Sequence, residues 1–290
     1  MFLNKDKIML APLDNEVFFK KAFTNKIVFE KFVYDIFGKK VSVKKIETEK
    51  EFQPKSSYIN IKIDVYAETV DNRFIIEIQK IAYDYNFDRF LHYFLAAITQ
   101  QQKKANTGYD IKKTVLAVIV LTQPYKIHNK TGMVLKDSVM SLDFDMKNSY
   151  GDLIRIWKHN LIFLNSHSKY EDKNLTDGFR DWLHLIRQSI VNEENFKLNL
   201  NNTGIAKAVK LIKYDNLNDE EIAKAQLSEA KRRKRMKDKK DIKEKIERMK
   251  KKYKIQLEEK DLKLEEKDLK LEEKDKLIKM LQEQLKNKNL

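Results

Sequence analysis

The chain has 290 residues, a formal net charge of +15 and no cysteine, so disulfides and thiolate chemistry are excluded. Its length suits one substantial domain with an appendage. The charge favours a polyanionic partner, and most of it lies in residues 231–254, which hold 15 Lys and Arg but only four Asp and Glu. No apolar signal-peptide core occurs in the N-terminal stretch MFLNKDKIML, and the longest purely apolar run is short, which predicts a cytoplasmic protein without a membrane partner.

Residues 14–38 predict the first helix. Asp14 or Asn15 is a suitable N-cap, apolar side chains recur at helical spacing, and Gly38 is a suitable end. Glu16 lies in the first turn, where an acidic side chain favours the helix dipole. The pattern therefore indicates one continuous helix at the start of the domain.

Residues 59–79 predict a β-hairpin. Both halves alternate apolar and polar side chains with the period of two that is typical of a strand. Turn-forming residues separate the halves and place the turn at Val70 and Asp71. The alternation predicts that Ile63 and Val65 share one face of the first strand.

On the face of the hairpin opposite to these apolar side chains, the register predicts a pair of carboxylates. A turn at Val70 and Asp71 gives cross-strand pairs whose residue numbers sum to 141, so Asp64 faces Glu77. Directly opposed residues have Cβ atoms roughly 4.5–5.5 Å apart. Two carboxylates this close repel each other unless a cation lies between them, and Mg²⁺ is the candidate cation because it prefers oxygen ligands. The alternative is the ordinary solvated face of a hairpin.

The remaining elements of the first domain predict an α/β fold. An irregular strand within residues 41–52 precedes the hairpin, an amphipathic helix follows at 83–105, and a buried strand follows at 114–122. Residues 14–122 therefore have the order αβββαβ. The second helix serves as a right-handed crossover if the strands that it links are parallel.

One stripe of the helix at 83–105 carries three long polar side chains. Arg89, Tyr93 and Gln100 lie within about 40° of each other at 100° per residue. One interpretation is a DNA-binding stripe, in which Arg89 contacts phosphate and Gln100 positions water or backbone. The alternative is an ordinary solvated flank of the helix.

Several short motifs carry a family resemblance. Asp64, Glu77 and Gln79 form a D…ExQ pattern that resembles the PD-(D/E)XK nuclease motif on adjacent strands. The flanking motifs resemble those of the bacterial PD-(D/E)XK transposase or recombination-promoting nuclease family, over roughly residues 10–235. These are a DxxFKxxF-like helix at Glu16–Phe23, an R…Y…Q helix at Arg89, Tyr93 and Gln100 or Gln101, a late strand at 161–164 and a Trp-containing helix at 181–183.

The resemblance implies a PD-(D/E)XK restriction-endonuclease-like core with a mixed central sheet, and a Mg²⁺-dependent DNA endonuclease linked to recombination or mobile elements. Asp64, Glu77 and the carbonyl of Ile78 would bind Mg²⁺ or Mn²⁺, with Glu16 as an extra carboxylate. Gln79 occupies the usual lysine position; it can orient water but carries no positive charge. The alternative is a catalytically inactive nucleic-acid-binding or assembly protein that retains the fold.

Residues beyond 200 predict a long helical tail. We expect a nuclease-like domain at 1–200, a helical extension at 201–230, a basic helix at 231–256 and a heptad-like charged helix at 257–290. The basic helix is expected to bind DNA phosphates without sequence preference. Its first basic residues are Lys231, Arg232, Arg233, Lys234 and Arg235.

The end of the tail has a seven-residue repeat, LEEKDLK, whose leucines do not fill both core positions of a coiled coil. Only Ile278, Leu281 and Leu285 make an a-d-a seam. This pattern predicts a weak homo-oligomer through the C-terminal helix. A solvated helical tail without a partner is the alternative.

Overall fold

A computed structural model describes residues 9–52, 61–80, 87–101, 111–122, 137–167, 174–192 and 197–288. The chain forms two compact units, Met1–Ser228 and Glu229–Leu290. Helices span Glu16–Phe23 (α1), Lys26–Phe37 (α2), Phe87–Thr99 (α3), Asp177–Val191 (α4), Thr203–Ile212 (α5) and Asp219–Lys288 (α6). Strands span Ile46–Phe52 (β1), Ile61–Glu68 (β2), Asn72–Gln79 (β3), Thr114–Leu121 (β4), Val139–Asp143 (β5), Met146–Lys147 (β6), Leu153–Ile154 (β7) and Asn160–Asn165 (β8).

The first unit is built on a mixed sheet. Within the described residues, six strands join in the order β1-β2-β3-β4-β8-β5. β3 runs parallel to β4 and β4 parallel to β8, whereas the other neighbours are antiparallel. The mixed α/β fold and the order αβββαβ are thus confirmed, although the first helix of that order is divided.

Apolar side chains cover both faces of this sheet. One core cluster joins the sheet to α1, α2, α4 and α5, and the other joins it to α3. Successive residues of β4 alternate between the clusters: Leu116 and Val118 pack on the first, Val115 and Ala117 on the second. Burial on both faces explains why β4 is a continuous apolar run.

The predicted single helix at 14–38 is two helices. Asn15 caps α1, and the Asn25 side chain accepts a hydrogen bond from the backbone of Ile27 and begins α2. The hydroxyl of Thr24 donates to the carbonyl of Lys20 at 2.7 Å, which occupies a carbonyl at the end of α1. The apolar spacing did not reveal this break, but the end at Gly38 is confirmed by its left-handed conformation.

The alternation of β2 changes phase at Asp64. Ile63 packs in the cluster that contains α3, whereas Val65 packs in the opposite cluster, so the prediction that they share a face is wrong. The pairing of β1 with β2 omits Glu49 and Asp64 and continues on both sides of them. Glu49 has a φ of 56°, a left-handed conformation that accounts for the irregularity of β1.

The first unit extends further along the chain than the expected boundary at 200. α5 packs on α2, α1 and α4, and its residues Ile205 and Ile212 are fully buried. The first turns of α6 belong to the same unit, where Lys21 Nζ pairs with Glu221 Oε2 at 2.6 Å. Residues 201–228 are therefore part of the domain that carries the hairpin.

The second unit, Glu229–Leu290, is helical through Lys288. Lys231, Arg233 and Lys234 are exposed, and the side chains of Arg232 and Arg235 lie outside the described residues. Leu257, Leu264, Leu271, Ile278 and Leu281 are also exposed. The predicted self-association of this helix stays a prediction. Within the parts of the chain that the structure describes, no helix is long and apolar enough to cross a membrane.

Candidate active site

The hairpin has the predicted register. Thr69 donates its backbone N–H to the carbonyl of Asn72, and the two strands pair from Glu68 with Arg73 to Val65 with Ile76. Each pair of residue numbers sums to 141. The pairing stops there, although both strands continue, so Asp64 and Glu77 lie at the level where β2 and β3 separate.

The two carboxylates occupy the gap between the separating strands. The backbone N–H of Asp64 donates to Glu77 Oε1 at 2.8 Å, and the backbone N–H of Ile78 donates to Asp64 Oδ2 at 3.1 Å. Each acid therefore accepts a hydrogen bond from the backbone of the other strand. These side-chain bonds replace the backbone ladder at this point and hold both acids in one place.

This position is electrostatically unfavourable for two negative charges. Glu77 is 3% exposed, and burial raises its pKa well above the usual range, with a further rise caused by the charge of Asp64. Burial also raises the pKa of Asp64, although the N–H of Ile78 and the charge of Lys20 oppose this rise. A divalent cation would relieve both desolvation and repulsion, and the oxygen donors suit a hard ion.

The carbonyl of Ile78 also faces this gap. The carbonyl of Gln79 points towards β4, because it accepts a hydrogen bond from the backbone of Thr122 at 3.0 Å. The carbonyls of successive residues in a strand point towards opposite neighbouring strands. The carbonyl of Ile78 therefore points towards β2. Its N–H bond to Asp64 agrees with this direction. The residues at the gap thus fit the predicted ligand set of two carboxylates and one carbonyl.

Gln79 lies on the same side of β3 as Glu77, two residues further along the strand. Its side chain is 7% exposed. The amide is therefore held near Glu77 and largely screened from bulk water.

Glu16 is not brought into the gap as a third ligand. Its side chain is half exposed, and its carboxylate accepts from Ser228 Oγ at 3.2 Å and lies 3.8 Å from Lys20 Nζ. Among the described residues, no group of three or more His, Cys, Asp or Glu side chains could hold a metal ion. Glu16 is close enough for its charge to raise the pKa of Asp64, and its role as a ligand stays a prediction.

Arg89 and Tyr93 flank the pair from α3. Arg89 Nε donates to the Tyr93 hydroxyl at 2.7 Å, and the guanidinium lies 5.1 Å from the centre of the Tyr93 ring. The charge of Arg89 acts to lower the pKa of Glu77. Burial raises the pKa of Tyr93, and the charges of Glu77 and Asp64 add to that rise. The structure thus brings these two predicted residues to the carboxylates.

Gln100 is not brought to the same place. It lies eleven residues after Arg89, a separation of about 16 Å along a helix axis. Gln100 instead lines a cavity of about 350 Å³ together with Glu68 and Arg73. The predicted stripe took account of the angle around the helix but not of the distance along its axis.

Two charged residues at the site were not singled out individually from the sequence. Lys20 Nζ lies 3.0 Å from Glu49 Oε1, and Glu49 is the β1 residue at the level of Asp64. Lys20 belongs to the DxxFKxxF-like segment, which was its only signal. The local sequence of β1 does not distinguish Glu49 from its neighbours. Its position beside Asp64 follows only from the pairing of β1 with β2.

A mixed sheet with a buried acid, Glu77, and a partly buried acid, Asp64, where neighbouring strands separate is consistent with a PD-(D/E)XK-type nuclease fold. The family model described as PD-(D/E)XK nuclease family transposase matches residues 14–249. The chain belongs to this family, which supports a nuclease or transposase-related role. No curated protein and no solved structure gave a match.

The raised pKa of Glu77 predicts that the ionised acid destabilises the fold without metal. Glu77→Gln keeps an oxygen that can accept from the Asp64 N–H but removes the charge. We expect the free energy of unfolding at neutral pH in EDTA to rise by roughly 1 kcal/mol, or Tm by about 2–4 °C. A raised pKa makes the wild type relatively more stable in acid, so the difference should vanish below about pH 4.

Glu68→Gln is the matched control for this thermal measurement. Burial raises the pKa of Glu68, but hydrogen bonds from Tyr66 and Lys113 and the charge of Arg73 give a net lowering. Removing this charge should therefore lower Tm at neutral pH. If Glu77→Gln also lowers Tm at neutral pH, the two acids are not held against each other as described.

Proposed function

We propose that the protein is a metal-dependent DNA endonuclease that hydrolyses phosphodiester bonds. The observation that carries the proposal is the pair Asp64 and Glu77, both held between separating strands and both with raised pKa. An ordinary solvated hairpin face would not hold a partly buried acid, Asp64, against a buried one, Glu77. The family supports nuclease chemistry and favours a link to recombination or mobile elements.

Asp64, Glu77 and the carbonyl of Ile78 would hold the metal, with Mg²⁺ as the proposed ion and Mn²⁺ as a substitute. Such an ion, when bound, polarises a phosphoryl oxygen and lowers the pKa of water. The chain's own contribution is to hold the oxygen donors: each carboxylate is fixed by a backbone N–H of the opposite strand. This fixed arrangement would spare the site the cost of reorganising during the reaction.

Gln79 and Arg89 have different proposed roles. The amide of Gln79 can donate and accept hydrogen bonds, so it can orient a water molecule beside Glu77, but it brings no charge. Arg89 uses Nε to hold Tyr93, and its planar guanidinium is suited to phosphate. The pair Arg89 and Tyr93 would therefore position the DNA backbone at the carboxylates.

The basic residues 231–235 would add affinity for DNA outside the carboxylate site. Such residues neutralise phosphates and release counterions, so they act on any sequence. A specific observation favours a second candidate function, because Gln79 stands where the motif usually has a lysine. In that alternative the protein is a catalytically inactive nucleic-acid-binding or assembly protein that retains the fold.

Plasmid cleavage distinguishes these candidates. Wild-type protein should nick supercoiled DNA with Mg²⁺ and not with EDTA. Asp64→Ala and Glu77→Ala should each reduce the rate by roughly 10³-fold, because each removes a metal ligand. DNA binding should be retained or become tighter, since each substitution removes negative charge near phosphate.

Glu51→Ala is the matched control, because Glu51 is an exposed acid on the neighbouring strand β1. It should cut at the wild-type rate. Equal cutting by all four proteins would place the chemistry elsewhere or in a contaminant. Binding by all four without any cutting would favour the inactive nucleic-acid-binding protein.

The basic run predicts the salt dependence of binding. Replacing all five residues of 231–235 with Gln should weaken binding to DNA of any sequence in EDTA and lower the slope of log K against log salt by about 0.9 for each phosphate that is no longer neutralised. The measurement is fluorescence anisotropy at several salt concentrations. A control with the same charge change replaces five lysines of the tail with Gln: Lys260, Lys267, Lys270, Lys274 and Lys276. If the slope decreases equally in this control, a specific role for residues 231–235 is contradicted.

A further inference from the structure

The proposed site lacks a positive charge at its usual position. A scissile phosphate gains negative charge on its oxygens during hydrolysis, and the motif normally places a lysine where this chain has Gln79. An amide cannot replace that charge. Among the described residues, Lys80, Arg89 and Lys20 are the less exposed candidates to supply it; Lys62 is also near, but its side chain is more than half exposed.

Lys80 is next to Gln79 in sequence but is held by another acid. Its Nζ lies 2.9 Å from Asp14 Oδ2, and the Asp14 side chain is 5% exposed. Neighbouring residues of an extended chain direct their side chains to opposite sides, so Lys80 faces away from the side of Glu77. Its charge therefore offsets Asp14.

Arg89 approaches from α3 on the Glu77 side. Its influence is on the pKa of Glu77, and its Nε is bonded to Tyr93. The contact with Tyr93 suits Arg89 to hold a phosphate in position. Because Arg89 acts on Glu77, a different cation is needed to supply positive charge beside Asp64.

Lys20 meets this need from α1, on the opposite side of the sheet from α3. Its side chain is 17% exposed, and its Nζ lies 3.0 Å from Glu49 Oε1 and 3.8 Å from Glu16 Oε2. Glu49 occupies the level of Asp64 in the pairing of β1 with β2. The geometry thus directs the ammonium group of Lys20, through its contact with the exposed Glu49, to the strand position beside Asp64.

Glu49 has the features of a residue that positions this lysine. It adopts a left-handed conformation, which costs about 1–2 kcal/mol for a residue with a side chain. Its carboxylate binds both Lys20 and Lys62, the latter at 2.7 Å, and hydrogen bonds from Lys62 and Lys20 lower its pKa to about 2. Glu49 is therefore ionised at neutral pH and shares its charge between two lysines.

We propose that Lys20 supplies the positive charge that the motif lysine would provide, with Glu49 as its positioning residue. The inference rests on the proposed nuclease function. In hydrolysis the water oxygen bonds to phosphorus, the P–O ester bond breaks, and the leaving oxygen ends with a proton. Lys20 forms no covalent bond in this scheme; its ammonium stabilises the charge that develops on the phosphate.

Charge relocation tests this proposal. Lys20→Met should lower the rate constant of Mg²⁺-dependent plasmid nicking by about 10²-fold, with DNA binding changed far less. Adding Gln79→Lys to Lys20→Met should restore much of the missing rate, because it returns a positive charge to the motif position. Lys20→Arg should retain part of the activity. Thermal unfolding of each variant verifies that the domain folds.

The matched control is Lys21→Met, on the same helix. Lys21 pairs with Glu221, away from Glu49, so this change removes an equal charge and a similar ion pair and should leave the nicking rate unchanged. Glu49→Gln should reduce the rate less than Lys20→Met, and the double variant should be no slower than Lys20→Met alone.

The outcomes separate this proposal from the proposed function. Wild-type rates in Lys20→Met would overturn the role of Lys20 and leave the nuclease function intact. A folded Lys20→Met variant that is slow and is not rescued by Gln79→Lys would show a structural role and overturn the proposal. If the wild-type protein and Asp64→Ala are equally inactive with Mg²⁺, the nuclease function fails and the role of Lys20 fails with it.

Discussion

Two acids of like charge, held where backbone pairing ends, are the constraint on which the rest of the site depends. Between β2 and β3 the regular ladder stops after Val65 and Ile76, and carboxylates accept the hydrogen bonds of the opposing backbone instead. This arrangement satisfies backbone donors but concentrates negative charge in a poorly solvated place. The two hydrogen bonds therefore stabilise the separated strands, whereas the repulsion between the two carboxylates destabilises them. A bound cation would remove this repulsion, as expected of a cation site.

The layers on either side of the sheet bring different cations to the acids. Arg89 comes from α3 and acts on Glu77, whereas Lys20 comes from α1 and acts on Asp64. The phase change at Asp64 and the left-handed Glu49 occur at this same level of the sheet. Local irregularity, charge and burial therefore coincide at one point, as is common where backbone strain is retained for function.

The sequence was sufficient to predict most features that depend on local periodicity, although the alternation of β2 failed at Asp64, where Ile63 and Val65 pack on opposite faces. The turn at Val70 and Asp71 determined the register, and the continuous apolar run of β4 indicated a strand buried on both faces. Two features that local geometry determines were nevertheless missed: the break at Thr24, after which Asn25 caps α2, and the distance of Gln100 from Arg89 along the helix axis. Glu49 could not be found without the pairing of β1 with β2, because its neighbour Asp64 is 15 residues away.

The most direct test of the two acids as a metal site is the binding of Mn²⁺ to the full chain, measured by electron paramagnetic resonance without DNA. We expect a site in the wild-type protein that is absent from Asp64→Asn and from Glu77→Gln, because each substitution removes a charged oxygen ligand. Glu51→Gln should bind as the wild type does. Equal Mn²⁺ binding by all four proteins would contradict the assignment of these two acids as the metal site.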